Sequence, residues 1–339
     1  MRNILASDEK VYTYPPFVRG AERIWVNVML KLYCAVNGEL RECSQSKLAD
    51  ALWIDAIAPS HDEVNLLNEN FKLQYQDVAD CLDPNERSRL ELDENYDLLV
   101  LRSLIRSAKE DGTAQTMPVG IFVTPCNIIT VRLVATFSGA DLLADSKRKL
   151  KIQNPGDLFL ALIRKINRDI DRKVRPMEGQ ISLLQKAVLS KQRGEIGEKA
   201  YNLNSELILL NTSLLSNFNA ISMIGRARHI SFTEDQADML EDLENDVAQL
   251  YDMTTIYREI MQNILRAHES AIANNLSSIM KILTSISLIL MLPTLIASLY
   301  GMNVDLPLQN DPIAFWVIIA ITAVAVSILW LMFKIKKLL

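Results

Sequence analysis

The chain has 339 residues, with 36 Lys and Arg against 41 Asp and Glu and a formal net charge of −5, so it lacks the basic excess of a nucleic-acid binder and no nucleic-acid partner is expected. Its mean hydropathy of +0.10 and 49% hydrophobic content suggest an ordinary globular protein only on average, because the apolar excess is concentrated after residue 281. Gly-rich phosphate loop, nucleophile elbow and HExxH are all missing, and an enzyme is not expected.

Residues 1–10 are polar and precede no apolar h-region, so no signal peptide is expected. Cys34, Cys43, Cys81 and Cys126 lie far apart, with no CxxC pair and no histidine at ligand spacing. They read as four reduced thiols rather than a disulfide or a zinc site. Residues 1–153 read as an α/β domain. Stretches 96–105, 119–124 and 128–133 are rich in Val, Leu, Ile and Phe at strand length, and Thr124-Pro125-Cys126-Asn127 is a turn. Ser60 ahead of His61-Asp62-Glu63 predicts a capping box that starts a helix.

Strand signals stop near residue 154. Asn154-Pro155-Gly156-Asp157 reads as a turn ending in an N-cap, followed by Leu158, Leu162, Ile166 and Ile170 at helical spacing. A break at Arg193-Gly194 makes 154–225 a helical hairpin. No Gly or Pro occurs between Arg226 and Leu292, so a stalk helix over 226–281 is expected to run from about Thr233 into the first apolar stretch. Some sixty residues at 1.5 Å each make a rod of about 90 Å, a mechanical link between cytoplasmic domain and membrane. Between Arg228 and Arg258 the stalk has no Lys or Arg, but carries Glu234, Asp235, Asp238, Glu241, Asp242, Glu244, Asp246 and Asp252. Asp235, Asp238, Asp242 and Asp246 share one helical face, which as charge pattern alone is a solvated surface.

Two uncharged stretches, 282–300 and 313–333, are each long enough to cross a bilayer as a helix. Lys281 and Arg266 precede the first, Lys334, Lys336 and Lys337 follow the second in a basic tail (334–339), and the loop 301–312 has no Lys or Arg. The positive-inside rule predicts both termini in the cytoplasm, with Asp305 and Asp311 outside; the plasma (inner) membrane is the expected location. Tyr300 and Trp316 fall near the outer interface, Trp330 and Phe333 near the inner one.

One face of the first span collects Ser277, Met280, Leu283, Ser287, Met291, Thr294 and Ser298. Hydroxyls in a membrane helix can bond their own i−4 carbonyl, and small residues let helices pack. If identical helices surround an axis instead, the stripe becomes alternating rings of apolar groups and hydroxyls. Both readings stand at this point.

Between the spans lies Tyr300-Gly301-Met302-Asn303, which closely resembles the signature of the CorA family of divalent-cation channels. Looser matches extend to Trp53-Ile54-Asp55 with Pro59, to Asp77-Val78-Ala79 and to Asn95-Tyr96. The resemblance implies a funnel-shaped homopentamer in which the first membrane helix lines a pore. Met280 and Leu283 would form a constriction that closes by dewetting, and Thr294 would contact a hydrated ion. Gly301, Met302 and Asn303 would form a filter of neutral oxygens for Mg²⁺, which surrenders its water reluctantly. Uptake of Mg²⁺, with Co²⁺ as a second candidate, would be driven by the membrane potential. Asp77 and Asp242 of adjacent subunits would share a regulatory Mg²⁺; no organic cofactor is implied. Three features depart from the family pattern: Ser277 where many relatives carry Asn, Pro293 one residue later than usual, and the loop 304–311 without the aromatic, Glu-containing sequence of many members. Two alternatives are weighed. A zinc or other transition-metal transporter is disfavoured because His61, His229 and His268 all lie outside the spans. A non-conducting scaffold or sensor would tolerate apolar residues at Thr294 and Asn303, and both polar side chains are present.

Overall fold

A computed structural model describes residues 29–36, 39–43, 48, 50–105, 114–137, 141–142, 152–189, 196–302 and 313–336. The chain divides into two units, residues 1–176 with 205–255 and residues 177–204 with 256–339. The described elements run β1 (Met29–Val36), β2 (Glu39–Glu42), β3 (Trp53–Ile57), α1 (His61–Phe71), α2 (Tyr75–Cys81), β4 (Arg89–Leu92), β5 (Asp97–Leu104), β6 (Thr116–Val123) and β7 (Ile128–Arg132). They continue with α3 (Pro155–Val174), α4 (Met177–Leu189), α5 (Ile196–Ile221), a short 3₁₀ turn (Ile224–Arg226), α6 (Glu234–Tyr300) and α7 (Ala314–Ile335).

In the first unit a sheet of order β2-β1-β3-β7-β6-β5-β4 is antiparallel except for the β3–β7 pair. The strands expected at 96–105, 119–124 and 128–133 are β5, β6 and β7, joined at the expected turn, where the Thr124 N–H donates to the Asn127 carbonyl. Leu98 and Val100 share a buried cluster with Val64 and Leu67 of α1 and Val78 and Cys81 of α2. Leu99 and Leu101 alternate to the opposite face and are equally buried, with α3 packed on β5. Cover on both faces explains why these strands read as unbroken apolar runs. On the same side as Leu99, the Asp55 carboxylate takes two bonds from Arg132 (Nη2 2.5 Å, Nε 3.1 Å) and one from Thr130 (2.8 Å).

Gly120 lets α2 approach β6, because a Cβ there would overlap the Cys81 sulfur. The Ser60–Glu63 capping box forms as expected at the start of α1. At α3 the expectation was wrong by three residues: Asn154 is the N-cap, Pro155 sits in the first turn, and Asp157 closes a capping box from N3. A third capping box, Thr233 with Gln236, opens α6. Gln236 Nε2 also donates to Asn154 Oδ1 (3.1 Å) and Asp157 Oδ1 (2.7 Å), tying the starts of α3 and α6 together. The Asp97 carboxylate accepts from the Arg228 and His229 amides (2.7 and 2.6 Å), which fixes the segment leading into α6 against β5.

The four-thiol expectation also fails. Cys34 and Cys43 form a disulfide between β1 and the end of β2, their Cα atoms 6.0 Å apart, while Cys81 and Cys126 are free. Antiparallel pairing brings together residues that looked well separated in sequence.

In the second unit Met177, Ile181 and Leu184 of α4, Ile196, Ala200 and Leu203 of α5, and Tyr257, Met261 and Ile264 of α6 are buried. The expected single outward run of the hairpin is broken at Arg175 and Pro176, since proline at 176 supplies no N–H to continue α3. The break expected at Arg193-Gly194 lies outside the described residues. Helix α6 is continuous for 67 residues with Pro293 inside it, the unbroken helix expected of a run without Gly or Pro up to Leu292. By length and composition three described helices could cross a membrane: 196–226, α6 and most of α7. Half of the apolar window in 196–226 is buried within the protein, against 6% and 0% in the other two, so packing accounts for its hydrophobicity.

Candidate functional site

Ser277, Met280, Leu283, Ser287, Met291, Thr294 and Ser298 are all exposed along α6. Ser285 is buried, and Ile289, Leu292, Pro293 and Ile296 are half-buried. At 100° per residue this second set lies on the opposite side of the helix from the first. A matching shielded stripe runs along α7 through Ile318, Thr322, Ala325, Leu329 and Phe333. One chain therefore shields only one side of the span and leaves the rest uncovered, the polar stripe together with Leu288, Leu290, Leu295 and Leu299.

Hydroxyl geometry along that stripe follows the local pattern. Ser287 Oγ donates to the Leu283 carbonyl (2.9 Å) and Thr294 Oγ1 to the Leu290 carbonyl (3.0 Å). A hydroxyl has one proton to give and two lone pairs. With the proton committed to the backbone, the oxygen faces outward as an acceptor. Water held by a cation presents its hydrogens outward, so such an oxygen suits a hydrated cation and not a bare anion. The pairing expected of an ordinary membrane hydroxyl and the pore reading are thus compatible.

Gly301 follows α6, its N–H donating to the Ala297 carbonyl (3.0 Å), and Met302 is exposed. Asn303, Asp305 and Asp311 lie outside the described residues. Trp316 and Trp330 are exposed near the two ends of α7, and Lys334 Nζ sits 5.0 Å from the Trp330 ring centre.

Asp77 occupies the first turn of α2. The Tyr96 hydroxyl donates to its Oδ2 (2.5 Å) and accepts from the Gln74 N–H (3.2 Å). Burial pushes the Asp77 carboxyl above its ordinary range, the Tyr96 bond opposes that, and Glu91 adds to it. The Tyr96 hydroxyl is itself pushed up by burial and by its bond to Asp77. Asp242 is exposed on α6, facing α3 in a cavity that also holds Arg164 and Arg168. Most of the other stalk acids are exposed, as a solvated face requires. No group of three or more His, Cys, Asp or Glu able to hold a metal ion forms among the described residues. The arginines of α3 were missed in the sequence, although Arg164, Arg168 and Arg175 fall on one face at spacings of four and seven.

The sequence profile described as "CorA-like Mg2+ transporter protein" matches residues 49–336. The cobalt/magnesium transport protein CorA of Methanocaldococcus jannaschii is 27% identical over 288 residues, 84% of this chain and 90% of that protein. Its counterpart in Thermotoga maritima is 22% identical over 280 residues, 81% of this chain and 80% of that one. The complete structure of the M. jannaschii magnesium transporter superposes with a TM-score of 0.77 at 25% identity, over 91% of this chain and 98% of that one.

Proposed function

Because the chain belongs to the CorA-like Mg²⁺ transporter family, we propose that it assembles as a homopentameric channel that passes Mg²⁺, and Co²⁺ as a second ion, into the cytoplasm down the membrane potential. The observation that carries this reading is the uncovered stripe of α6, set opposite the face that its own chain shields. Five copies around an axis would turn Ser287, Thr294 and Ser298 into rings of acceptor oxygens, and Met280, Leu283 and Met291 into apolar rings between them. Met280 and Leu283 would close the pore by dewetting. Gly301, Met302 and Asn303 would form the outer mouth, where neutral oxygens receive an ion that keeps its water.

Regulation would come from Mg²⁺ between Asp77 of one subunit and Asp242 of the next. Both offer hard carboxylate oxygens of the kind Mg²⁺ takes. The two groups repel until a divalent ion bridges them, so bound ion would favour the closed assembly.

The test is Mg²⁺ and Co²⁺ flux into proteoliposomes containing only this protein, with and without an imposed potential, for wild type and Asn303→Ala. Potential-dependent flux without ATP or a proton gradient, lost in the variant while the pentamer persists on size-exclusion, supports the reading. Flux that requires a proton gradient, or survives the substitution, sinks it.

A further inference from the structure

On α7, Ala323, Val324, Ser327, Ile328 and Leu331 line an open groove of about 330 Å³. At 100° per residue it lies on the side of the helix opposite the shielded stripe through Thr322, Leu329 and Phe333. Two small side chains, Ala323 and Ser327, make its floor. Ser327 Oγ donates to the Ala323 carbonyl (2.8 Å), so the floor has no unmet donor and suits an apolar occupant. Lys334 falls within about 20° of Ala323 and Ser327 around the same helix. Its Nζ stands 5.0 Å from the ring centre of Trp330, itself exposed. The groove thus ends at a cation.

The charge at this end of the helix has no counterpart nearby in the chain. No Asp or Glu occurs between Glu269 and Asp305 or after Asp311, whereas Lys281, Lys334 and Lys336 are exposed. The Trp330 face steadies the Lys334 ammonium from one side, but none of its three N–H donors has an oxygen acceptor among the described residues. From Ala314 to Lys334 the helix rises about 30 Å, the thickness of the hydrocarbon core, which sets Lys334 among the inner headgroups of a bilayer that α7 spans. An acyl chain matches an apolar groove, and a headgroup phosphate matches an ammonium. We infer that α7 binds an anionic phospholipid of the inner leaflet, its phosphate on Lys334 and Lys336, an acyl chain along Ala323, Ser327 and Leu331, and the Trp330 ring at the boundary between them. A zwitterionic lipid carries its own cation and leaves the lysines uncompensated. Such a site requires α7 to span the membrane, as the two-span reading has it, but neither ion conduction nor regulatory Mg²⁺.

The experiment is quenching of Trp330 fluorescence, taken as the signal lost in Trp330→Phe, in full-length protein in phosphatidylcholine bilayers with increasing brominated phosphatidylglycerol or brominated phosphatidylcholine. A preference of about fivefold or more for phosphatidylglycerol is expected, the worth of one lysine near an anionic surface. It should fall to within twofold in Lys334→Gln with Lys336→Gln, and at least threefold in Ser327→Leu, which fills the groove from an exposed position. Trp316, beside the loop without Lys or Arg, is the reference and should favour neither lipid by more than twofold. Equal quenching of Trp330 by both lipids, the same preference at Trp316, or a preference untouched by the lysine substitutions would overturn the inference. Millimolar inorganic phosphate that abolishes the preference would assign the lysines to a free anion instead, and Ser327→Leu that alters the assembly on size-exclusion without altering the preference would give the groove to a neighbouring helix; either result also overturns it. Quenching is read without ion flux, so a preference in a protein that passes no ion supports the site while sinking the channel, and flux without a preference sinks the site alone.

Discussion

Replacing Asp55 with Ala tests how the sheet tolerates a buried charge. Asp55 and Arg132 are 1% and 0% exposed, and the carboxylate receives Arg132 Nε and Nη2 as well as Thr130 Oγ1. Among the described residues the guanidinium would then keep only Thr136 Oγ1, the Phe137 carbonyl and the Phe137 ring, 4.1 Å from its carbon. Removing one partner strands a buried charge, at a cost of roughly 3–5 kcal/mol. At about 1.4 kcal/mol per decade, the opening equilibrium of β3 and β7 should rise by two to three and a half decades. Asp55→Leu with Arg132→Met removes both charges and should recover most of that loss, since a well-packed apolar pair often matches an ion pair. Hydrogen–deuterium exchange of the β3 and β7 amides in the intact protein measures both variants. Exchange of Asp55→Ala within threefold of wild type, or a double variant no better than the single, would refute the argument.

Three further outcomes follow from other parts of the molecule. Leu283→Asn should raise Mg²⁺ leak at high internal Mg²⁺, because dewetting needs apolar walls; patch recording of the closed state checks it, and an unchanged leak places the gate elsewhere. Burial raises the Asp77 carboxyl, with the Tyr96 bond opposing, so folding holds its proton: its contribution to stability is present at low pH and lost as pH rises through the raised value. Ligation of Mg²⁺ has the opposite dependence, present above that value and lost as pH falls through it. Inhibition midpoints measured against pH should show this, with the loss moved to higher pH in Tyr96→Phe and absent in Asp77→Asn. Gly120→Ala should cost about 1–3 kcal/mol by overpacking α2 against β6, seen as earlier thermal unfolding, with partial recovery on adding Cys81→Ala to relieve the overlap.

Local signals in this chain were legible where a short segment determines its own conformation. The Ser60–Glu63 box, the Thr124–Asn127 turn and the apolar face of Leu158, Leu162, Ile166 and Ile170 depend on neighbours within one or two turns, and each formed. Asn154 was passed over as N-cap because Asp157, three residues on, carries the same type of side chain; Pro155 in the first turn was the deciding sign. The disulfide required knowing that Cys34 and Cys43 lie across a strand pair. Asn37-Gly38, outside the described residues, was the available hint, as a strong hairpin dipeptide between two strand-like runs. The Asp55–Arg132 pair and the Gln236 link to Asn154 join residues 77 and 82 positions apart, and no periodicity reports such contacts. On the span, period and composition identified the stripe, but which face its own chain would shield depended on tertiary packing that no local pattern reports.

Within the second unit, Tyr257, Met261 and Ile264 pack at one end of the same unbroken helix whose other end carries the stripe from Ser277 to Ser298. The two ends are consequently phase-locked. One residue inserted in the exposed stretch around 270–278 would turn the stripe by 100° relative to the packed end and send its hydroxyls toward lipid or the shielded back. Seven inserted residues would return it to within about 20°. The chain can thus accept length changes here only in steps close to whole turns, a constraint on its divergence that acts through angle and not through any single side chain.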